Sequence, residues 1–277
     1  MKIISELCQN HNGDRSILES MIEQAAPDSD ILKIQSIKAE TFTNREEYES
    51  FRPYKEEYER LKSIELSFED EKFFIEKCKE YGVETMTTVF STSHAEYFNS
   101  LGYDHLKLSG YSIPEFDYGN KLVDFNFKKF YFSTSSLTYE EISKTVNNLK
   151  NLNINFCMMH CICVYPTILE RAILQNINFY QNHFALDSIG YSDHSNPHED
   201  NLLTTKLAIF EGIDVLERHF TILEVDKTRD GKVSLTPTLL KEVRRFSKLT
   251  ELQQYKELNQ FDEQQEFNHK YYRGRFK

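Results

Sequence analysis

The chain has 277 residues and a formal net charge of -11, with 39% hydrophobic and 28% charged residues. This is a soluble globular composition, long enough for one large α/β barrel or two small domains. The acidity argues against nucleic acid or an anionic membrane surface as a partner, and no run approaches the roughly 18 apolar residues of a membrane span. In chain order, Lys2–Leu7 reads as a strand that begins the chain without a signal-peptide pattern, so a cytoplasmic location is expected. Ser16–Ala26 reads as a helix and Ile31–Ile37 as the next strand. A charged helical stretch follows over Arg45–Lys62 and Ser67–Tyr81, the second part opened by Ser67-x-x-Asp70 in the form of a capping box. Glu84–Val89 is a strand, Ser93–Leu101 a helix, His105–Leu108 a short strand and Pro114–Asp124 weakly helical. Lys129–Ser133 is a strand. Thr138–Asn151 carries Ile142, Val146 and Leu149 at helical spacing. Phe156–Cys161, Ala185–Tyr191 and Ile213–His219 read as strands, and Leu169–Gln181, Asn201–Glu211 and Pro237–Gln253 as helices.

Strands alternating with helices mean parallel strands joined by helical crossovers. About eight such units in this length predict an α/β fold of the (β/α)8 TIM-barrel type over residues 1–250; an open doubly wound sheet is the alternative. Residues 251–277 read as a polar C-terminal extension, either a helix lying on the barrel or a disordered tail. The five cysteines (Cys8, Cys78, Cys157, Cys161 and Cys163) form no disulfide framework and suit a reducing compartment. Cys161-x-Cys163 lacks the second pair that a metal or redox site of that type needs.

The active site of such a barrel lies at the C-terminal strand ends, and polar residues recur there. In order they are Glu6 with Asn10–Gly13, Lys33 and Gln35, Thr87 and Thr88, Lys107 and Ser109, Ser133 and Thr134, His160 with the loop to Tyr165, Ser192 to His194, and His219 with Asp230 beyond. A strand-end histidine alone is an ordinary polar residue. Two of them on neighbouring strands, His194 and His219, can hold one divalent ion. Lys33 and Lys107 sit on otherwise apolar strands, where an unpaired charge is costly. They form either internal Lys–Glu ion pairs or a phosphate or carboxylate site to which Thr88, Ser109, Ser133 and Ser192 add hydroxyls. A metal pair beside an anion site suggests carbon–carbon bond formation with a phosphorylated three-carbon unit.

At these residues the chain resembles the sialic acid synthase family, the phosphoenolpyruvate-dependent N-acetylneuraminate synthases and their legionaminic and pseudaminic acid relatives. The motifs that carry the resemblance are Glu6-x-x-x-Asn10-His11-x-Gly13, Lys33-Ile34-Gln35, Thr87-Thr88-Val89-Phe90-Ser91, Ser133-Thr134, Tyr165-Pro166, Gly190-Tyr191-Ser192-Asp193-His194 and Glu217-Arg218-His219-Phe220-Thr221. The resemblance implies condensation of an open-chain N-acylated hexosamine with phosphoenolpyruvate, with release of phosphate. It also implies a divalent metal (Mn2+ or Mg2+) and a homodimer. His194 and His219 would be the metal ligands. Lys33, Thr88, Lys107, Ser133 and Ser192 would bind phosphoenolpyruvate, with Ser109 beside them. Gln35, Tyr165 and Asp230 would face the amino-sugar acceptor, and Glu6, Lys107 and Asp230 would serve catalysis. The chain departs from the family pattern in several places. The family's C-terminal antifreeze-like domain is not among these residues. Tyr111 stands where the family has Glu, Cys163 where it has Asn or Ser, and Ser135-Ser136 where it has Gly-Met. Most departures fall on the acceptor side, so a related synthase acting on another aldose, or a non-catalytic binder of metal and phosphoenolpyruvate, are the alternatives.

Overall fold

The computed structural model describes residues 1–275 apart from 45, 47, 48, 51, 91–93, 114–119 and 261–262. Eight parallel strands close into a barrel: β1 (Lys2–Cys8), β2 (Ile31–Gln35), β3 (Glu84–Val89), β4 (His105–Leu108), β5 (Lys129–Ser133), β6 (Phe156–Cys161), β7 (Ile189–Asp193) and β8 (Val215–His219). Each pairs with the next, and β8 returns to β1 with Glu6 opposite His219. This is the (β/α)8 barrel that the alternation predicts, and the open sheet is excluded. The crossovers carry α1 (Arg15–Ala25), α2 (Tyr54–Ile64), α3 (Phe68–Glu80), α4 (Ala95–Leu101), α5 (Tyr139–Asn151), α6 (Leu169–Ala172), α7 (Gln175–His183), α8 (Leu203–Phe210) and α9 (Pro237–Ser247).

Strand alternation sorts side chains into two environments. On β1, Ile3 and Leu7 face the helices, whereas Ile4 and Glu6 face the barrel axis. The outward residues join the large apolar layer, to which α5 adds Ile142, Val146 and Leu149 as its spacing predicts. Burying each leucine-sized side chain there contributes about 1.5–3 kcal/mol. Ile4, Ile31, Met86, Tyr131, Cys157, Met159 and Val215 form a separate apolar plug inside the barrel. Gly190 occupies the inward position of β7 in that plug because a Cβ there would lie 2.5 Å from Met159 Sδ. Above the plug, the inward positions turn polar.

Element boundaries move where local chemistry overrides periodicity. The predicted helix 169–181 is two helices, broken at Ile173, whose φ of 46° cannot continue an α-helix. The predicted strand 185–191 begins only at Ile189, since Ala185 has a φ of 44° and closes the preceding turn. The second strand stops at Gln35, and α8 starts at Leu203 after two residues of positive φ. The helix predicted from Arg45 starts at Tyr54; part of residues 45–53, like Ser93 and residues 114–119 of two other predicted helices, lies outside the described residues. Asn120–Asp124 is a 3-10 turn. The predicted helix 237–253 ends at Ser247, and a capping box of Thr250 with Gln253 starts α10 (Glu251–Leu258). That helix packs on α8 and α9 through the buried Gln254 and through Glu257, which pairs with Lys206 and Arg245. α11 (Glu263–Tyr272) follows with no buried residue. The Ser67–Asp70 capping box forms as predicted at the start of α3. No helix among the described residues is long and apolar enough to cross a membrane.

Beneath the plug, Glu84 gathers Lys2 Nζ at 2.6 Å, Lys128 Nζ at 2.9 Å and His105 Nε2 at 3.3 Å. Burial pushes the Glu84 carboxyl upward, but Lys2, Lys128 and His105 outweigh it and hold the group near about 2. A depressed carboxyl contributes stability above its unfolded value and loses it as pH falls. The Glu84→Gln variant is therefore expected to be less stable by about 1 kcal/mol at pH 7, after discounting for partial exposure. Urea titrations should show the gap closing between about pH 4.5 and pH 2; a gap that does not change with pH would refute this account.

Candidate active site

The register sets the mouth. Glu6 pairs in register with Lys33, Gln35 with Thr88, Thr88 with Lys107, Cys161 with Ser192 and Ser192 with Glu217. All face inward, and they enclose a cavity of about 70 Å³. Of the residues given a metal, substrate or catalytic role from the sequence, its lining includes all but Asp230: Glu6, Lys33, Gln35, Thr88, Lys107, Ser109, Ser133, Tyr165, Ser192, His194 and His219. Asp230 lines the adjoining cavity of about 590 Å³, which also takes in Gln35, Tyr165, Arg52, Arg60 and Arg229. The smaller cavity is therefore a floor pocket opening into a larger vestibule.

Both lysines are ion-paired inside the protein. Lys33 contacts Glu6 and lies 3.2 Å from Glu217 Oε1. Lys107 lies 2.6 Å from the same oxygen. Ser192 Oγ donates to Glu217 Oε1 at 3.0 Å, and Lys33 Nζ donates to Thr88 Oγ1 at 3.1 Å. These four charged side chains are at most 7% exposed. Burial draws the Lys33 ammonium down to about 7, with Glu217 opposing. The Glu217 carboxyl is held far below the usual range because Lys107 and Lys33 overcome its burial. Glu217 lay in a quoted motif without an assigned role; its signal is its position two residues before His219 on an inward-facing strand.

The two histidines are neutral. Burial lowers His194 to about 3, aided by His219, and lowers His219 to about 4. His194 Nδ1 lies 3.0 Å from the Ile162 carbonyl, which can only accept, so that nitrogen carries the proton and Nε2 keeps its lone pair. Nε2 meets the Tyr165 hydroxyl at 3.0 Å. The imidazole centroids are 5.2 Å apart. His219 Nδ1 is buried with no hydrogen-bond partner among the described residues, 3.7 Å from Asp230 Oδ2. Cys8 Sγ donates to the same Asp230 oxygen at 3.0 Å, and Cys8, His219 and Asp230 bring one ligand atom each within 4.8 Å of one another. Neutral imidazoles, an orphaned ring nitrogen and an adjacent carboxylate fit a divalent ion. Cys8, two residues after Glu6, was not singled out from the sequence as a ligand.

Several motif residues have other duties. His160 faces outward, stacks on Tyr191 and bonds the Ala172 carbonyl at 2.8 Å, so it does not belong to the mouth. Asn10 ties the β1 loop to the Phe220 carbonyl at 2.9 Å and to Ser234, and His11 Nδ1 accepts from the Gly13 amide at 3.0 Å. Gly13 has a φ of +75°, and a Cβ would lie 2.7 Å from the Ser63 carbonyl, so this motif shapes a loop. Thr87 bonds Ser36 on the outer side. Thr134 Oγ1 accepts from the Cys161 amide at 3.1 Å and so ties β5 to β6. Ser91 lies outside the described residues. The departures from the family pattern meet in space: Tyr111 hydroxyl bonds Cys163 Sγ, and Ser135 bonds Ser133 at 3.0 Å. Gly110 permits this approach, since a Cβ there would lie 2.1 Å from the Ser135 carbonyl.

A TIM barrel whose mouth gathers lysines, hydroxyls and two neutral histidines defines the class. A family model described as the NeuB family matches residues 21–257. The chain is 30% identical over 251 residues to the N,N'-diacetyllegionaminic acid synthase of Campylobacter jejuni, covering 86% of this chain and 73% of that one. It is 29% identical over 257 residues to the N-acetylneuraminate-9-phosphate synthase of Mus musculus, covering 90% and 70%. Among solved structures, the N-acetylneuraminic acid synthetase of Leptospira borgpetersenii in complex with citrate superimposes with a TM-score of 0.79 at 22% identity, over 98% of this chain and 92% of that one. The chain belongs to the NeuB family, whose curated members matched here include several named synthases.

Behind the mouth, Asp193 and Arg218 pair at 2.6 Å, both side chains fully buried. Arg218 also donates to the Ser195 and Val233 carbonyls, and so joins the strand ends that carry His194 and His219. Asp193→Asn leaves a buried guanidinium without its counter-charge and is expected to cost about 3–5 kcal/mol. Denaturant unfolding measures this; a loss below about 1 kcal/mol would mean that the pair does not hold the strand ends.

Proposed function

We propose that this chain condenses phosphoenolpyruvate with the open-chain aldehyde of an N-acylated hexosamine, giving a sialic-acid-type nonulosonate and inorganic phosphate. The observation that carries the reading is the placement of Lys33 and Lys107 among four hydroxyls and beside His194 and His219 in the floor pocket, with Asp230 in the adjoining vestibule. Family membership and the synthase names of the relatives support the same reaction type.

Lys33 and Lys107 hold the carboxylate and phosphate of phosphoenolpyruvate, and Thr88, Ser109, Ser133 and Ser192 donate to their oxygens. His194 and His219 would hold a divalent ion, Mn2+ or Mg2+ on the family resemblance, which when bound supplies Lewis acidity to the aldehyde oxygen. Gln35, Tyr165 and Asp230 orient the acceptor in the vestibule. The enol carbon forms a bond to the aldehyde carbon, and the resulting alkoxide oxygen takes up, by way of Glu6, the proton that the attacking water gives up, becoming a hydroxyl. Water adds to the carbon bearing the phosphate ester and loses a proton to Glu6. The tetrahedral intermediate then breaks its carbon–oxygen bond to phosphate, the remaining hydroxyl proton leaves with the phosphate, and a 2-keto acid remains. Replacing Lys107 by Ala is expected to reduce phosphate release by about 100-fold or more. The paired His194→Ala and His219→Ala changes should abolish it, and normal release from that double variant would overturn the metal role.

A second reading concerns the acceptor. Arg60 and Arg229 reach Glu57 at 2.8 and 3.3 Å where they line the vestibule. Guanidinium groups lining the vestibule favour an acceptor bearing an anionic group, in keeping with the 9-phosphate product named for the mouse relative. Because condensation adds three carbons ahead of the sugar, such a product implies a hexosamine 6-phosphate. Phosphate release would be compared with N-acetylmannosamine, its 6-phosphate, a diacetamido hexose and arabinose 5-phosphate. Arg60→Ala should raise KM for a phosphorylated acceptor by about tenfold and leave a neutral one unchanged. An equal effect on both would remove the case for an anionic acceptor.

A further inference from the structure

We propose that Cys8 is a metal ligand: its thiolate, with His219 and Asp230, forms one face of the divalent-metal centre and selects a transition-metal ion over Mg2+. The inference rests on the reading that this end of the barrel holds a metal. Three donors of suitable chemistry converge from three separate elements. Cys8 ends β1, His219 ends β8, and Asp230 stands in the loop beyond β8, with one ligand atom of each inside a 4.8 Å span. Cys8 Sγ is 3.0 Å, and His219 Nδ1 is 3.7 Å, from the same Asp230 oxygen. Donors on one tetrahedral ion, with bonds of about 2.0–2.3 Å, stand about 3.3–3.7 Å apart. The ring nitrogen of His219 is buried and has no hydrogen-bond partner among the described residues. An orphaned lone pair or N–H in such a place is unfavourable, and a metal bond removes that penalty.

The backbone gives a second, independent indication. Cys8 has a φ of 51°, in the left-handed region where glycine is the unstrained residue. The β1–β2 register shifts between Glu6 and Cys8, so the chain is bent where the thiol is presented. Cys8 is buried and lies outside both apolar clusters. Strain of this kind persists where a side chain has a task.

Thiolate is a soft donor that suits Zn2+, Co2+ or Fe2+, whereas Mg2+ takes oxygen ligands and keeps its waters. Binding replaces the Cys8 thiol proton, which is released to solvent, and leaves further positions to His194 and a substrate oxygen.

The test uses the metal-stripped full chain titrated with Co2+ and followed by absorption. The wild type is expected to show d–d bands together with a near-ultraviolet thiolate-to-cobalt charge-transfer band. Cys8→Ser should lose the charge-transfer band, keep d–d bands, and bind Co2+ at least about tenfold more weakly, since even outer-sphere losses cost that much. Affinity for Mg2+, measured by competition, should change little. Cys8→Gly relieves the positive φ, so it separates loss of the ligand from loss of the fold, and it should behave like Cys8→Ser. Wild-type d–d bands without charge transfer, or a charge-transfer band that survives in both variants, would overturn the role of Cys8 and leave the metal reading standing. Absence of any cobalt spectrum would overturn both.

Discussion

The mouth of this barrel depends on one buried arrangement of four charges: Lys33 against Glu6 and Glu217, and Lys107 against Glu217. An isolated ammonium or carboxylate at this depth would be prohibitively costly. Two of each make a neutral set, and the apolar plug beneath keeps it out of the barrel centre. The site is therefore electrically satisfied before any ligand arrives. The anionic substrate proposed for this site would have to compete with Glu6 and Glu217 for the same ammonium groups, so its affinity would be a difference between two sets of ion pairs. Hydroxyls such as those of Ser192 and Thr88 suit such an exchange, because they can donate to a carboxylate or a phosphate and accept from an ammonium.

The outward faces of the same strands carry the support. Asp193 and Arg218 are each adjacent in sequence to a histidine of the mouth. Their buried ion pair lies on the other side of the sheet, where strand alternation sends it. Asn10 similarly reaches from the β1 loop to the backbone after β8. The motif residues thus divide by parity: one set touches the cavity and the alternate set locks the strand ends that present it. The metal role proposed for the two histidines would need this rigidity, because ring orientation decides whether a lone pair or an N–H faces the cavity.

The vestibule side has its own chemistry. Tyr111 and Cys163, distant in sequence, line both the floor pocket and the vestibule, and Ser135 joins them in the floor pocket. The vestibule beyond is rich in arginine although the whole chain is acidic. Local charge, set by which side chains line a cavity, decides what enters, and net charge does not.

The sequence by itself determined the barrel, the strand on which each candidate sits and, through the strand ends and the quoted motifs, much of the cavity lining from Glu6 to His219. These properties are local: a strand's alternation and a crossover's length are written in consecutive residues. Helix breaks at Ile173 and after Ser247 escaped it because positive φ and caps outweigh apolar spacing over a few residues. His160 was placed wrongly because a strand-end position says nothing of facing until parity is counted from a known inward neighbour. Only the tertiary structure decided that Glu217 lies between both lysines, that Cys8 reaches Asp230 across 222 positions of sequence, and that Tyr111, Cys163 and Ser135 line one pocket. Each of these is a contact between distant strands, set by barrel closure and register, and no single segment encodes it.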